Sequence, residues 1–259
     1  MSGGRLQDDR GLHYGDGLFE TIRFSGACAP LWDWHMQRLL LGCARLGLPA
    51  PDPAVVLRRA RRLAGTHPQS VIKLILSAGS GPRGYARPLP LRPRMLAFAS
   101  PFVESAPRLL HLRWCQMHLA LQPALAGIKH LNRLEQVLAR AEWSDTAIDE
   151  GLMLDTGEHV IAATAANLFV RKDGRWLTPP VDACGIAGVG RRWLINAVSA
   201  IEARLDVAAV ETSQACVLTN ALHGPRQIGQ LAQRSWGVDR QVQSLQDRWR
   251  TLFSDGHPR

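Results

Sequence analysis

The sequence predicts an α/β protein of two domains with mixed sheets. The chain has 259 residues, of which 46% are hydrophobic, and this is enough for one large or two modest cores. Strand-like and helix-like segments alternate in both halves, and each half also contains a hairpin pattern, which is typical of mixed sheets. We expect a small α/β domain over residues 1–103, a linker at 104–108 and a larger α/β domain over 109–259.

The elements of the first domain follow from hydrophobic periodicity. "LFETIRF" (18–24) alternates as a strand does. Met36, Leu39, Leu40 and Cys43 repeat at helical spacing, and Asp33 is the expected N-cap of that helix. A second helix is predicted over 51–65, capped by Asp52 and with Pro53 at its first position. The further predicted strands of this domain are 70–80 and 94–102.

The second domain is predicted to begin with a strand and to end with a helix. Turn residues at 156–158 and 172–174 indicate two hairpins. The glycine-rich stretch 184–192 is expected to lead into a helix. The remaining predictions are strands at about 109–119, 207–213 and 215–222, and helices at 132–143 and 240–253.

Composition narrows the class of protein. The net charge is +9, but the arginines are spread along the chain, so we expect no nucleic-acid partner. The five cysteines are odd in number and form no C-x-x-C pair, which favours buried free thiols over disulfides or a metal site. No apolar run approaches the roughly 18 residues of a membrane span, and the N-terminus lacks the apolar core of a signal peptide. We therefore expect no membrane association and a cytoplasmic location.

Lysine is scarce in this arginine-rich chain, occurring only at Lys73, Lys129 and Lys172. The alternation around Lys73 predicts that its side chain faces solvent, and Lys172 falls in a predicted turn. Lys129 instead follows Gly127-Ile128 just before a predicted helix. Apolar surroundings would lower the pKa of its ammonium group and make the amine a nucleophile. The alternative is a surface lysine near a helix start.

Two turns of the second domain could bind an anion. "CGIAGVGRR" (184–192) would present backbone N–H groups at the start of a helix, and "LTNAL" (218–222) could add an amide from Asn220. Arg38 could add a charge-assisted hydrogen bond. Glycine before a helix also fits an ordinary turn. An isolated lysine together with anion-binding turns suggests a phosphorylated aldehyde as cofactor, namely pyridoxal 5'-phosphate.

Six segments occur in an order that resembles a known family. They are "YGDGLFETIR" (14–23), "HMQRL" (35–39), "GIKHLNRLEQVLARAEW" (127–143), "DEGLMLD" (149–155), "ANLF" (166–169) and "GVGR" (188–191). Together they resemble the class IV aminotransferases, which are pyridoxal-phosphate enzymes of fold type IV. The resemblance implies a small and a large α/β domain, as in D-amino-acid aminotransferases, with the cofactor between them. It also implies a homodimer.

The resemblance implies a role for individual residues. Lys129 would form the Schiff base with the cofactor and then act as general acid and base. The residues implied to hold the phosphate are Arg38, Val189, Gly190 and the Asn220–Ala221 turn. The residues implied on the substrate side are Tyr14, Phe19, Thr21, Arg83 and Tyr85. Thr21 would place a hydroxyl near the reacting group, and Arg83 and Tyr85 would meet a substrate carboxylate.

Within the family, "KHLNRLEQ", "YGDGLFET" and "RGY" (83–85) resemble the lyases more than the aminotransferases. The implied reaction releases pyruvate from 4-amino-4-deoxychorismate and leaves 4-aminobenzoate for folate synthesis. Two alternatives stay open. One is a branched-chain or D-amino-acid aminotransferase of the same fold, and the other is a catalytically decayed cofactor-binding or interaction protein.

One departure from the family pattern bears on this choice. The family places a glutamate beside the pyridine nitrogen of the cofactor, and here "VIAATAANLF" (160–169) places Ala162 there. Without a carboxylate, the ring withdraws electrons less strongly. Amino transfer depends on that withdrawal, whereas pyruvate release is also driven by formation of an aromatic product. Ala162 therefore counts against an aminotransferase more than against a lyase. Glu158 is close in sequence but falls in the predicted turn.

Overall fold

A computed structural model describes residues 6–254, which form two compact units. The described part of the first unit comprises 6–103, 128–132 and 253–254, and the second comprises 104–127 and 133–252. The predicted boundaries place 128–132 in the second domain. In the structure this segment packs with the first unit, where His130 pairs with Leu18 of the first strand.

The first unit is an antiparallel three-stranded sheet with helices on one face. Leu18, Ile22 and Phe24 alternate inward on the first strand and are buried against the second helix. This sheet has the strand order β1-β2-β3 and is purely antiparallel. Its elements are α1 (Arg10–Tyr14), β1 (Gly17–Ser25), α2 (Trp32–Leu46), α3 (Pro53–Ala64), β2 (Gln69–Ser77) and β3 (Arg94–Pro101).

The two long helices of this unit test the capping predictions. The prediction for α3 is confirmed, because the Asp52 carboxylate accepts a hydrogen bond from the Ala54 N–H at 2.8 Å and Pro53 opens the helix. The prediction for α2 is wrong. That helix begins at Trp32 with Leu31 at the cap position, because the Trp32 N–H already turns back to the Ala29 carbonyl at 3.0 Å. Asp33 lies in the first turn, where its charge still favours the helix.

The second unit is built on a mixed nine-stranded sheet, as the predicted fold class requires. Strand β4 runs parallel to β5 and to β11, and the other neighbours within the ring described below are antiparallel. The elements are β4 (Leu110–Trp114), α4 (Leu134–Arg140), β5 (Glu150–Leu154), β6 (Val160–Ala163), β7 (Asn167–Lys172), β8 (Arg175–Thr178), α5 (Val189–Val198), β9 (Ile201–Glu202), α6 (Val207–Glu211), β10 (Ala215–Asn220), β11 (Gly224–Leu231), β12 (Arg234–Ser235) and α7 (Arg240–Ser254).

Six of these strands close into a ring. The order β10-β11-β4-β5-β6-β7 ends on β7, which pairs with β10 again through Ala215↔Arg171 to Thr219↔Asn167. Closure leaves these six strands without an open edge and encloses an apolar core. The core residues include Leu112, Leu152, Leu168 and Leu218.

Several predicted elements of the second unit need correction. Residues 207–213 were predicted as a strand, but 207–211 form the helix α6, because the Asp206 carboxylate caps it by accepting from the Ala209 N–H at 2.6 Å. The strand predicted at 109–119 and the helix predicted at 132–143 are both shorter than expected. Strand β11 was not predicted. The two hairpins, the strand β10 and the closing helix are confirmed.

A buried charged cluster lies between β1 and α2. Glu20 accepts hydrogen bonds from Arg38 Nε at 2.8 Å and Nη2 at 2.5 Å, and from His35 Nδ1 at 2.7 Å. Burial disfavours the charged form of Glu20, but the charge of Arg38 and the His35 hydrogen bond outweigh it and lower the pKa to about 2. Burial also lowers the pKa of His35. His35 is therefore neutral at pH 7 and donates from Nδ1.

A second buried cation contacts the last turn of α7. The Arg23 guanidinium carbon lies 4.1 Å from the ring centroid of Phe102 and 4.3 Å from that of Phe253. Arg23 is 4% exposed, so these two cation–π contacts are desolvated and correspondingly favourable. Phe253 thus packs with the first unit, of which it is a member.

All five thiols are free, and four of them are buried. Burial raises the pKa of Cys115, Cys184 and Cys216 to about 12, so these groups are neutral at pH 7. Across residues 6–254, no helix combines the length and the apolar character that crossing a membrane requires.

Gly224→Ala should destabilise the second unit. Gly224 has φ +63°, and a Cβ there would lie 2.2 Å from Trp249 Cγ, which belongs to a buried side chain. We expect a loss of about 3 kcal/mol in the free energy of unfolding, from the left-handed backbone and the overpacking together. Urea denaturation measures it. Gly174→Ala is the control: it has φ +72° with no atom within 4 Å of the added Cβ, so only about 1 kcal/mol should be lost. Equal losses would contradict the role of Trp249.

The Glu20 cluster predicts how stability depends on pH. Both pKa values are lower in the folded chain than the ordinary 6.5 of histidine and 4.5 of glutamate, so the unfolded chain binds more protons. The free energy of unfolding should therefore be greatest above pH 6.5. It should fall as His35 titrates in the unfolded chain, and fall further from pH 4.5 towards 2.

Glu20→Gln separates the two contributions. At pH 7 it should cost about 3 kcal/mol, because Arg38 stays buried without its counter-charge. The difference from the native protein should shrink below pH 4.5, where Glu20 itself loses its advantage. Asp247→Asn removes a carboxylate from an exposed ion pair with Arg250 and should cost less than about 1 kcal/mol. A constant difference across the pH range would refute the assignment to Glu20.

Candidate active site

Lys129 is held by backbone pairing to the first strand. The Phe19 N–H donates to the Lys129 carbonyl at 2.9 Å, and the Leu131 N–H donates to the Gly17 carbonyl at 3.0 Å. Lys129 is half-buried, while its neighbour Ile128 is completely buried. The pairing fixes the backbone from which the amine extends.

The face of β1 beside Lys129 carries two of the predicted substrate-side residues. The Lys129 Nζ lies 4.3 Å from the ring centroid of Phe19. Thr21 is two residues further along the strand and so lies on the same face. The Lys73 Nζ is 5.7 Å from the same ring, and Lys73 pairs directly with Thr21 in the sheet register. Lys73 is exposed, as predicted, yet it shares an aromatic neighbour with Lys129.

Arg38 belongs to the buried cluster of the same unit. Two of its nitrogens donate to Glu20, which orients the guanidinium plane. The charge of Lys129 is the last of several causes that lower the pKa of His35, so this cluster and the amine are close enough to interact electrostatically. The structure thus brings Lys129, Phe19, Thr21 and the Glu20 cluster together within the first unit.

Tyr14, Arg83 and Tyr85 form a second group in this unit. Tyr14 ends the helix α1, and its hydroxyl accepts a hydrogen bond from the Gly84 N–H at 2.9 Å. The rings of Tyr14 and Tyr85 are 5.5 Å apart with an edge-on geometry. Tyr85 is 87% exposed and Arg83 is also exposed. The predicted substrate loop is therefore folded onto Tyr14, three positions before the start of β1.

The second unit contains the predicted anion-binding turn. Gly188 is the N-cap of α5 and has no side chain to cap it, so the first N–H groups of this ten-residue helix are open to an anion. The preceding loop is fixed by hydrogen bonds of 3.0 Å from Gly127 N–H to the Gly185 carbonyl and from Ala187 N–H to the Gly127 carbonyl.

The Asn220 turn lies against the first turn of this helix. A Cβ on Gly190 would lie 2.6 Å from the Asn220 carbonyl, so glycine permits the close approach. The same Cβ would lie 2.9 Å from Thr219 Oγ1, a fully buried hydroxyl without a hydrogen-bond partner among the described residues. The Asn220 side chain folds back instead, with its oxygen accepting from the N–H groups of Leu222 and His223.

These features fit a phosphate group. A helix N-terminus supplies N–H donors and positive potential, and a buried hydroxyl without a partner can donate to an anionic oxygen. The structure brings Val189, Gly190, Asn220 and Ala221 together in the second unit. The Asn220 amide holds its own turn, and its Nδ2 lies 3.3 Å from the Ala165 carbonyl.

Ala162 lies in an apolar environment. It pairs with Met153 and Asn167 in the sheet and is 8% exposed. The hydrophobic cluster to which it belongs includes Cys115, Trp143 and Cys184. Glu158 does not replace the missing carboxylate, because its side chain is 77% exposed and its Oε1 lies 3.4 Å from His118 Nε2.

Two residues of the candidate site, Glu20 and Thr219, were not predicted from the sequence. Glu20 carried a usable signal, since the strand alternation places it on the same face as Leu18 and Ile22, where a carboxylate must be paired. Thr219 carried none, because threonine is ordinary in a strand and only the tertiary structure leaves its hydroxyl without a partner among residues 6–254.

Comparison with known proteins places these observations in a family. The family model "Amino-transferase class IV" matches residues 17–231. The aminodeoxychorismate lyase of Vibrio harveyi is 36% identical over 192 residues, which cover 73% of this chain and 71% of that protein.

Solved structures agree in fold. The 4-amino-4-deoxychorismate lyase of Pseudomonas aeruginosa superposes with a TM-score of 0.90 at 38% identity, covering 97% of this chain and 96% of that one. The branched-chain aminotransferase of Thermoproteus uzoniensis has a TM-score of 0.85 at 18% identity, covering 97% of this chain and 90% of that one, which shows a shared fold. The chain therefore belongs to the class IV aminotransferase family and has its fold-type IV architecture.

Proposed function

We propose that this protein is a pyridoxal-phosphate-dependent lyase that converts 4-amino-4-deoxychorismate to 4-aminobenzoate and pyruvate, a step of folate synthesis. The observation that carries the proposal is the placement of Lys129, the amine of a fixed segment beside Phe19 and Thr21. The similarity to two lyases, at 36% and 38% identity, supports this reaction over others of the family.

Each unit carries residues that suit one part of the cofactor. In the first unit, Lys129 would hold its aldehyde carbon and Arg38 would be a cationic partner of its phosphate. In the second unit, the α5 N-terminus at Val189 and Gly190, the Asn220–Ala221 turn and the Thr219 hydroxyl would hold the phosphate. When bound, pyridoxal phosphate withdraws electrons and so lets a C–H bond next to the substrate amine lose its proton.

The remaining chemistry falls to side chains of this chain. Lys129 would take the proton from the ring carbon that bears the amine. The ring then becomes aromatic as the C–O bond to the enolpyruvyl group breaks, and Lys129 would return the proton to the leaving group, which becomes pyruvate. Phe19 covers one side of the amine, and Thr21 places a hydroxyl on the same strand face. Arg83 and Tyr85 would bind a substrate carboxylate.

The surroundings of Ala162 favour the lyase over an aminotransferase. Ala162 has no charge, and the thiols of Cys115 and Cys184, whose pKa values burial raises to about 12, are neutral at pH 7. Position 162 therefore lacks the carboxylate that would favour a protonated pyridine nitrogen. Release of pyruvate tolerates this because aromatisation adds driving force.

The setting of the enzyme is also part of the proposal. We expect a cytoplasmic homodimer with a small anionic substrate and without nucleic-acid or membrane partners. The homodimer rests on the family resemblance, and sedimentation of the purified protein tests it.

Lys129→Ala should abolish the visible absorption of bound cofactor and lower pyruvate release by about a thousandfold or more, because the variant lacks both the amine and the proton carrier. Lys129→Arg should behave alike, since a guanidinium cannot form an imine. Absorption and coupled pyruvate assays measure both. Lys172→Ala, at the exposed end of β7, is the control and should match the native protein. Cofactor binding without pyruvate release or amino transfer in the native protein would favour the decayed alternative.

Ala162→Glu should restore a carboxylate to the family position and raise the rate of amino transfer by about tenfold, the factor that accompanies one pKa unit. Pyruvate release should rise less. Ala162→Gln has the same size without the charge and is the matched control. Amino transfer at the rate of an ordinary aminotransferase in the native protein would contradict the interpretation of Ala162.

A further inference from the structure

The buried guanidinium of Arg10 holds the loop that contains Arg83 and Tyr85. Arg10 is 3% exposed and opens the helix α1. Its Nη1 donates to the carbonyls of Gly84 at 3.0 Å and Ala86 at 3.1 Å, and its Nη2 donates to the Tyr85 carbonyl at 2.9 Å. One side chain thus binds three successive carbonyls of a loop whose own side chains are exposed.

A carboxylate joins this arginine to the base of the loop. Asp16 Oδ2 accepts from Arg10 Nε at 2.9 Å and from Arg87 Nε at 3.0 Å, and Arg87 also binds the other carboxylate oxygen and the Leu46 carbonyl. Burial disfavours the charge of Asp16, but the hydrogen bonds from Arg87 and Arg10 lower its pKa below the ordinary value. The backbone from 84 to 86 and the side chain of Arg87 are therefore all anchored.

The same corner of the chain contacts the Lys129 segment. Gly15 has φ +64°, and a Cβ there would lie 2.2 Å from Asn132 Oδ1. The Asn132 Nδ2 is 3.4 Å from the Gly15 carbonyl, and Leu131 pairs with Gly17. Residues 14–17 thus touch the loop through Tyr14 and Asp16 and the catalytic segment through Gly15 and Gly17.

We propose that Arg10 is a positioning residue for substrate recognition, which holds Arg83 and Tyr85 at a fixed place relative to Lys129 so that they bind a carboxylate of the substrate. The proposal rests on the proposed function. A loop ordered in advance does not lose its backbone entropy on binding, so the expected effect is on affinity.

The geometry requires arginine. The planar guanidinium offers five N–H groups directed apart, which suits three carbonyls and one carboxylate. A lysine ammonium has three donors on one atom and cannot span the carbonyls of Gly84 to Ala86. Arg10→Lys therefore keeps the positive charge but cannot make all three hydrogen bonds to the loop carbonyls.

The test compares Arg10→Lys with Arg59→Lys in the cofactor-loaded protein. Arg59 also donates to a backbone carbonyl of the first unit, that of Met95 at 3.0 Å, but lies outside the loop. Three quantities are measured: hydrogen exchange of peptides covering 81–88, KM and kcat for pyruvate release, and the Kd of chorismate, which has the carboxylates but no amine. Asp16→Asn is a second variant should Arg10→Lys fail to fold.

Arg10→Lys should speed exchange of the loop and raise both KM and the chorismate Kd by about tenfold, with kcat within about twofold and the cofactor absorption unchanged. Asp16→Asn should shift the same quantities in the same direction, and Arg59→Lys should shift none. Unchanged loop exchange, or faster exchange with unchanged KM and Kd, overturns the proposal. So does a fall in kcat alone.

The outcome also separates this inference from the proposed function. If the native protein releases pyruvate and Arg10→Lys has unchanged KM and Kd, only the role of Arg10 fails. If the native protein neither binds chorismate nor releases pyruvate, the proposed function fails and the inference falls with it.

Discussion

Two backbone hydrogen bonds between the Lys129 segment and β1 determine the organisation of the first unit. They extend the strand pairing to residues 129–131, so the alternation of β1 decides what the amine meets. The odd positions Phe19 and Thr21 lie beside it, while the even position Glu20 turns inward to the charges of α2. One strand therefore supplies both the aromatic wall of the amine and the buried counter-charge that orients Arg38.

The proposed anion site of the second unit would depend on backbone groups rather than on charged side chains. The start of α5 approaches the end of β10 so closely that only glycine fits at position 190. That approach leaves the Thr219 hydroxyl buried beside the helix N-terminus. The arrangement depends on ring closure through the β7–β10 pairing, which fixes where β10 ends.

Local signals explain what the sequence could predict. The alternation of β1, the Asp52 cap with Pro53 and the turn residues of the hairpins act over a few residues, and each was read correctly. Lys129 stood out because lysine is rare in the chain. The strand prediction for residues 207–213 was wrong because a short apolar run fits a strand and a helix equally well. The Asp206 cap stabilises the helix.

Long-range pairing explains the rest. Ring closure joins residues 167–171 to 215–219, and no local pattern indicates it. The membership of 128–132 in the first unit depends on pairing with a strand more than a hundred residues earlier. The partners of Glu20 and the isolation of Thr219 are likewise properties of packing. The motifs located the candidate site, and only the fold gave the surroundings of its residues.

The buried arginines of the first unit bear on which substitutions this chain tolerates. Exchange between lysine and arginine is neutral on a solvated surface. It is not neutral at three buried positions. The Arg10 guanidinium binds successive carbonyls, and that of Arg23 contacts two aromatic rings. The Arg38 guanidinium binds a carboxylate through two nitrogens. At these three positions the contacts of the guanidinium explain why arginine is present, whatever favours arginine elsewhere in the chain. A general replacement of arginine by lysine, as used to alter the surface of a protein, would have to leave them untouched.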